Sequence, residues 1–295
     1  MMRILLFLAT NIAVILVASV TLSLLGVGSV HDGQGGMNLQ SLLIFCAVFG
    51  FAGSFVSLFL SKWMAKRSTG ARVIEQPQTQ QERWLVSTVE ELARTAGIGM
   101  PEVAIFPSRA PNAFATGRNP QNAAVAVTHG ALKLLSYEEL EGVMAHELAH
   151  VKNRDTLTCC VVATLAGVIT MVANMAQWAL IFGGFGGNDR NGNALGQLLM
   201  IILAPIAAVM IQMAVSRSRE FVADHDGAKI AGTPYGLISA LQKLESVSSQ
   251  MPLHGADPSQ NHMFIVSPAI GKSIAGLFRT HPRTEERIAK LRGMA

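Results

Sequence analysis

Residues 136–150 read SYEELEGVMAHELAH, and this stretch decides how the rest of the chain is interpreted. Ser136 and Glu139 form the pattern of a capping box, which predicts that a helix begins at this point. Residues four apart on a helix lie one above the other on the same face. The rings of His146 and His150 can therefore reach one metal ion. The stretch predicts a helix that carries two metal ligands.

A third ligand and a base would make this a catalytic centre. Glu147 lies between the histidines and is predicted to act as the base on a water molecule at the metal. Glu220, in the segment SRSREFVAD, is the predicted third ligand, because a carboxylate on an otherwise apolar helical face needs a partner. Asp224, one turn further on, is expected to accept a hydrogen bond from a ligating histidine. An alternative is a solvated helix in which Arg217 or Arg219 pairs with Glu220.

The predicted metal is zinc, with one ion per chain. Neutral imidazole suits zinc, and a catalytic zinc site has three protein ligands and one open position. The three cysteines all fall in apolar segments without a CxxC pair, so neither a disulfide framework nor a thiolate site is supported (Cys46, Cys159, Cys160). Three other histidines have no partner pattern and are left out of the site (His225, His254, His262).

The composition is that of a membrane protein. Half of the residues are hydrophobic and only 14% are charged, where about a quarter is usual in soluble domains. Four apolar stretches are long enough to cross a bilayer: Ile4–Val30, Leu39–Leu60, Leu157–Phe182 and Ala194–Val215. The last two contain polar residues and a proline, so a hydrophobic hairpin that covers the catalytic domain is an alternative to spanning (Asn174, Gln177, Gln197, Pro205, Gln212).

Basic residues precede the first and third apolar stretches and follow the second and fourth, which places them on one side of the membrane: Arg3, Lys62, Lys66, Arg67, Lys152, Arg154, Arg217 and Arg219. By the positive-inside rule, both termini and the large polar regions are expected to face the cytoplasm. The predicted division is an N-terminal transmembrane hairpin (1–62), a first part of the catalytic domain (71–155), a second hairpin (157–215) and a second part of the catalytic domain (216–295).

The predicted fold class is a mainly α integral membrane protein with a cytoplasmic, zincin-like α+β domain and a small sheet with an edge strand. Its elements are a helix at Glu82–Ala96 and strands at Val103–Phe106, Asn112–Thr116 and Ala123–Thr128. Later helices are predicted around Ser218–Ala231, from Thr233 and from Thr284. The glycine-rich stretch Gly183–Gly187 does not follow a soluble strand and is interpreted as a flexible turn.

The order and spacing of these motifs resemble the HtpX-type membrane metalloproteases, relatives of the eukaryotic CAAX prenyl protease. The resemblance covers nearly the whole chain: PNAFATG at Pro111–Gly117, HELAH followed by Asp155, SRSREFVAD, and LFRTHP at Leu277–Pro282. Arg279 stands where the family typically has Ser, which affects no catalytic residue. The resemblance implies one zinc held by HExxH plus Glu, and quality control of proteins in the bacterial inner membrane.

The resemblance also implies roles for two further segments. His281 is the candidate donor to the oxyanion formed during peptide cleavage, with a surface histidine that caps a turn as the alternative. Asn112–Thr116 resembles the edge strand on which such enzymes bind extended substrates; a loop between two strands is the alternative. The predicted contacts there are Asn112, Ala113, Phe114 and Ala115. Expected partners are membrane-protein and unfolded polypeptide substrates, the lipid bilayer and other quality-control proteases of the membrane.

Other functional classes fit less well. A basic stripe with interleaved aromatics is missing from the sequence, which argues against nucleic-acid binding. A CAAX-type prenyl protease would share every catalytic residue but usually carries more spans. A metal transporter would need ionisable residues inside its spans, whereas His146 and His150 lie outside the predicted ones. A silent scaffold is disfavoured by the intact Glu147.

Overall fold

The computed structural model describes residues 2–24, 39–181, 194–250 and 281–294. The chain divides into two compact units, each made from two stretches: residues 1–58 with 159–212, and residues 59–158 with 213–295. Several sequence predictions lie outside the described residues: the turns between the paired apolar stretches, His254, His262 and the start of LFRTHP.

Nine helices and four strands are assigned in the described residues. The helices are α1 (Met2–Leu24), α2 (Leu39–Thr69), α3 (Gln80–Ala96), α4 (His129–Leu134), α5 (Tyr137–Lys152), α6 (Asp155–Ile181), α7 (Ala194–Ala231), α8 (Tyr235–Gln250) and α9 (Thr284–Arg292). The strands are β1 (Arg72–Val73), β2 (Glu102–Phe106), β3 (Ala113–Asn119) and β4 (Asn122–Thr128).

Three helices are long and apolar enough to cross a membrane, over Gln40–Thr69, Asp155–Met175 and Ile201–Ala231. Large apolar side chains are exposed on the first unit, such as Leu16 at 60% and Ile211 at 58%. Such a surface is unfavourable in water and is expected of a surface that contacts lipid. Helix α1 (Met2–Leu24) lies within the first of the four predicted spans, and its crossing of the membrane stays a prediction.

Small residues allow helices α2 and α6 to pack closely within the first unit. A side chain at Gly50 would come within 2.9 Å of a methyl group of Val168. One turn further along α2, the hydroxyl of Ser54 contacts that of Thr164 and lies 3.3 Å from the carbonyl oxygen of Cys160. Close backbone approach at small residues is typical of helix packing in membranes.

Helix α7 differs from the prediction. The fourth apolar stretch and the helix around Ser218–Ala231 are one continuous helix of 38 residues with Pro205 inside it. The change from apolar to polar sequence near Ser216 therefore marks a change of surroundings along the helix and not a helix end.

The second unit contains a mixed four-stranded sheet in the order β1-β2-β4-β3. Strands β2 and β4 are parallel, and β3 pairs antiparallel with β4 from Ala113 opposite Val127 to Asn119 opposite Asn122. Residues 123–128 of β4 are all buried, as expected for an inner strand covered on both faces. Among the described strands β3 lies at the edge of the sheet, and the alternative that this segment is a loop is wrong.

The metal-binding stretch forms the central helix of this unit. The predicted capping box is confirmed: the backbone N–H of Glu139 donates to the Ser136 hydroxyl, and the Glu139 carboxylate accepts from the Ser136 backbone. Glu139 also accepts from Ser239 and Lys243 of α8, at 2.5 and 2.7 Å. Burial opposes the charge of Glu139, but these bonds, with Lys243 foremost, hold its pKa below the usual value. Helix α5 is thus fixed at its first turn.

Glycines set the spacing between α5 and α8. A Cβ atom on Gly142 would lie 2.4 Å from the backbone nitrogen of Leu237, and one on Gly236 would lie 2.3 Å from the carbonyl oxygen of Glu138. The two backbones touch because neither glycine carries a side chain. The buried residues that flank the histidines then pack into the core of the unit (Val143, Met144, Ala145, Leu148, Ala149).

We expect Gly142→Ala to destabilise the catalytic unit by about 1–3 kcal/mol, the usual cost of overpacking a tight core. The added methyl group would meet backbone atoms of α8, which can move only if the helices separate. Thermal unfolding of the detergent-purified protein would measure the loss as a lower Tm.

The matched control is Gly99→Ala, whose new methyl group would make an ordinary contact of 3.4 Å with Gln121. Equal Tm values for both variants would contradict the packing of α5 on α8 described above.

Candidate metal centre

Three side chains from two helices converge in the second unit. The Nε2 atoms of His146 and His150 lie 3.1 Å apart. The Glu220 carboxylate reaches both of them, with Oε2 3.6 Å from Nε2 of His146 and Oε1 3.7 Å from Nε2 of His150. His146 and Glu220 are buried, whereas the side chain of His150 is 20% exposed. The cluster is therefore open on one side, at His150.

The spacing of these atoms fits a tetrahedral ion. Donor atoms about 2.0–2.2 Å from a tetrahedral zinc lie about 3.3–3.6 Å from one another, close to the observed 3.1–3.7 Å. The Oε2 atom of Glu220 is buried without a hydrogen-bond partner among the described residues. A buried carboxylate oxygen without a hydrogen bond is unfavourable even with Arg287 at 3.5 Å, and a metal ion would supply the missing contact.

A carboxylate lies close to the Nδ1 atom of each histidine. The Nδ1 atom of His146 lies 3.0 Å from Oδ1 of Asp224, within the distance of an ion pair. The Nδ1 atom of His150 lies 2.7 Å from Asp155, which in turn pairs with Arg219. A carboxylate at Nδ1 holds the proton there and leaves Nε2 with its lone pair directed at the metal.

A buried arginine completes the cluster. Arg287 of α9 is 1% exposed. It donates from Nε and Nη2 to the two carboxylate oxygens of Asp224, at 2.8 and 2.6 Å. Its Nη1 atom lies 3.5 Å from Oε2 of Glu220. Burial opposes its charge, but Asp224 and then Glu220 hold the pKa of Arg287 above the ordinary value.

The electrostatics of the cluster favour a cation. Four carboxylates (Glu147, Asp155, Glu220, Asp224) lie with two guanidinium groups (Arg219, Arg287), so the cluster carries an excess of two negative charges when its histidines are neutral, as they are when they bind a metal. Burial disfavours a charged ring at His146, yet Asp224 and Glu220 raise its pKa to about 10. A position that attracts a proton this strongly also suits a divalent ion, which would displace that proton on binding.

Glycine again allows the close approach that forms the site. A Cβ atom on Gly227 of α7 would lie 2.8 Å from Cα of His146 and 3.0 Å from its nitrogen. Glu220, Asp224 and Gly227 follow one another at intervals of four and three residues, so they share one face of α7. That face lies directly against the helix that carries the histidines.

The remaining predicted site residues fall in different places. Glu147 is buried in α5 between the two histidines. His281 is 8% exposed, with Nδ1 3.2 Å from Oε1 of Glu220, so the alternative of a surface histidine is wrong. Arg219 pairs with Asp155, so it is not the partner that the solvated-helix alternative gave to Glu220. His225 is half exposed and pairs with its neighbour Asp226, away from the cluster.

The predicted substrate strand is the edge strand β3, although its first side chains point inward. Asn112, Ala113 and Phe114 are buried, and Phe114 packs against Phe106 with ring centres 5.3 Å apart. Only Ala115 of the four predicted residues is half exposed. A substrate contact at the start of β3 would therefore use main-chain groups.

Two residues of the cluster were given no role in the site from the sequence: Arg287 was not singled out, and Asp155 was named only as part of a motif. Arg287 had a detectable signal, because Thr284, Arg287, Ile288 and Leu291 fall at the spacing of a buried helical stripe in which arginine is out of place. Asp155 had a weaker signal, since it follows His150 by five residues across a helix end.

Comparison with known proteins gives the family. A family model described as "Peptidase family M48" matches residues 79–295. "Protease HtpX" of Pseudomonas putida strain F1 is 48% identical over 301 residues, which cover 99% of both chains. "Protease HtpX homolog" of Thermococcus sibiricus is 46% identical over 284 residues, which cover 95% of this chain and 94% of the relative.

A solved structure shares the fold. The crystal structure of Ste24p from S. mikatae superposes with a TM-score of 0.55 at 18% identity, over 85% of this chain and 58% of that chain. With the metal-ligand cluster on a mostly helical membrane protein, these similarities establish that the chain belongs to peptidase family M48 and is a membrane metalloprotease.

Proposed function

We propose that the chain is a zinc-dependent endopeptidase that cleaves misfolded or damaged membrane proteins in protein quality control. His146, His150 and Glu220 hold one zinc ion, and Glu147 is the catalytic base. The observation that carries the proposal is the convergence of three ligand atoms at 3.1–3.7 Å in a buried, anionic site beside Glu147.

The ion would supply Lewis-acid chemistry: bound zinc lowers the pKa of a water molecule to about 7 and polarises the carbonyl group of the scissile bond. The residues supply the rest. Glu147 takes the proton of the attacking water and delivers it to the departing amine. Asp224 and Asp155 keep the Nδ1 protons in place, so that both histidines present Nε2 to the ion.

His281 is proposed to stabilise the negative oxygen that develops on the scissile carbonyl. As an imidazolium, His281 would donate one N–H from Nδ1 to Glu220 and offer the other, on Nε2, to that oxygen; among the described residues Nε2 has no hydrogen-bond partner. A preorganised donor in a site from which water is largely excluded is worth far more than one in water. The burial of His281 beside the third ligand supports this role.

Strand β3 is proposed to bind the substrate as an added strand. Its main chain pairs with β4 on one side only among the described strands, and the pocket beside it extends to His150. Main-chain hydrogen bonds do not depend on the identity of the side chain. An enzyme that binds substrates in this way accepts many sequences, which suits the removal of damaged proteins.

We further propose that the chain lies in the bacterial inner membrane with its catalytic unit and both termini in the cytoplasm. The support is the clustering of basic residues at one end of each apolar helix. Glu220 follows the apolar part of α7 by only a few residues, and His150 precedes α6 by five. The site would therefore meet membrane proteins in loops close to the cytoplasmic surface.

The first test is Glu147→Gln. Loss of the base removes proton transfer without removing a ligand, so the variant is expected to keep one zinc per chain and lose cleavage of casein by about a hundredfold or more. Metal analysis and a cleavage assay on the same detergent-purified sample measure both. Cleavage equal to that of the wild type, or the absence of metal from both proteins, would refute the proposal.

The second test compares two aspartates of α7. Asp224→Asn is expected to weaken zinc binding about 10–100-fold, because the carboxylate orients His146 and neutralises Arg287. Competition with a chelator of known affinity gives the value, and circular dichroism verifies the fold.

Asp226→Asn is the control, since Asp226 contacts Asn153 and His225 outside the cluster. If both variants bind zinc as the wild type does, Asp224 has no role in holding the ligands.

The third test concerns substrates and orientation together. In membrane vesicles, a multi-pass protein with a damaged cytoplasmic loop is expected to be cleaved faster than an unfolded soluble protein, at sites in that loop. Mass spectrometry of the fragments locates the sites. Equal rates would contradict the preference for membrane substrates, and sites in the opposite loops would contradict the orientation.

A further inference from the structure

An open cleft lies beside the exposed ligand of the metal centre. The empty space at the cleft, counted out into open solvent, is about 270 Å³, and the cleft is bordered by His150. One wall is the second half of β3, from Ala115 to Asn119. The other contains Val151, Arg154 and the start of α6 at Thr156 and Leu157. A chain that paired with the edge of β3 would run beside this cleft.

The cleft carries positive charge without a matching acid. Arg118 and Arg154 belong to its lining and are both exposed, and no Asp or Glu is among the described residues that line it. Among the described residues, neither arginine forms an ion pair. The nearest acid in sequence, Asp155, is already occupied by His150 and Arg219. Arg118 lies over the ring of Phe59, with 5.0 Å between the guanidinium carbon and the ring centre. This contact restricts the position of the Arg118 guanidinium group.

The backbone of Arg154 gives independent support. Its φ of +54° is in the left-handed region, and Arg154 is the only non-glycine residue with positive φ in the part of the chain described. The position follows the end of α5, where glycine or asparagine is usual because other residues are strained there by about 1 kcal/mol or more. Lys152 already supplies a positive charge at this helix end. Neither the backbone geometry nor the charge at the helix end calls for an arginine at this position.

We propose that this cleft is a substrate subsite that binds an acidic side chain, with Arg118 and Arg154 as its charged contacts. The proposal rests on the proteolytic function proposed above and names the substrate feature that its site selects. A guanidinium group offers parallel donors that match the two oxygens of a carboxylate.

The direction of β3 relates the position of the acidic residue in a substrate to the direction in which the substrate strand runs. A substrate strand antiparallel to β3 would have this residue N-terminal to those that pair with the start of β3. A parallel substrate strand would have it on the C-terminal side. The competing interpretation is that Arg154 only marks the membrane-facing end of α6, in which case its charge leaves substrate preference unchanged.

Binding is the decisive measurement, because it separates this subsite from catalysis. The zinc-loaded Glu147→Gln variant is titrated with a series of fluorescent peptides. Each pair of peptides differs only by Glu or Gln at one position, and this position differs from pair to pair. At one position the Glu peptide is expected to bind about fivefold more tightly for each arginine engaged, the upper range for exposed ion pairs, and the difference is expected to shrink at high salt.

Charge-removing variants then assign the contacts. Arg118→Gln and Arg154→Asn, each combined with Glu147→Gln, are expected to lose the preference. Asparagine is chosen at 154 because it tolerates the left-handed backbone. Arg154→Lys is expected to retain most of the preference, and Arg94→Gln, on the exposed face of α3, is expected to retain all of it.

The outcomes distinguish the two proposals. Equal binding of Glu and Gln peptides at every position, or a preference that survives both charge-removing variants, overturns the acidic subsite and leaves the proposed proteolysis standing. A preference that depends on the arginines, together with failure of the zinc-loaded wild type to cleave the same peptides, supports the subsite and counts against the proposed proteolysis.

Discussion

The contact between Gly227 of α7 and the backbone of His146 is the constraint on which the metal centre depends. The ligands come from helices that are far apart in sequence, with Glu220 seventy residues after His150. Only a residue without a side chain lets α7 lie directly on α5 at this point. That contact sets the distance between α7 and α5, and therefore how closely Glu220 and Asp224 approach the histidines. Metal–ligand distances tolerate errors of about 0.2 Å, so a small separation of the helices would disperse the ligands.

Charge balance is the second constraint, and it links a third segment to the site. Burial of Asp224 and Arg287 is unfavourable for either alone, because an unpaired buried charge costs several kcal/mol. Together they form a bidentate pair, and Asp224 still reaches His146. Helix α9 is therefore held by the same interaction that orients a ligand. With neutral histidines, the excess of negative charge in the cluster favours a bound cation.

The sequence predicted the parts of the site that depend on local spacing or on the cost of a misplaced charge. His146, His150 and Glu147 follow from helix periodicity, and Glu220 from a carboxylate on an apolar face. Arg287 was missed because its partner is 63 residues away along the chain and no local pattern specifies that pairing.

Two differences in the fold have simple physical causes. Arginine is a good helix former, so α7 continues through Arg217 and Arg219 although hydropathy falls there. Helix α3 begins at Gln80, two residues before the predicted start, because Thr79 caps it ahead of the first apolar position. Hydropathy reports the surroundings of a segment, whereas hydrogen bonding at its ends decides where a helix begins and ends.

The distribution of the cluster along the chain also affects how the protein is made. Its members extend from His146 to Arg287, and helices α6 and α7 are synthesised between the first ligands and the last counter-charge. At about 5–20 residues per second, translation of that interval takes on the order of 7–30 s. For that time the histidines are present on the nascent chain without their full set of partners. A protease organised in this way becomes active only after most of its own membrane helices have been made, when the nascent chain no longer offers it an unfolded target.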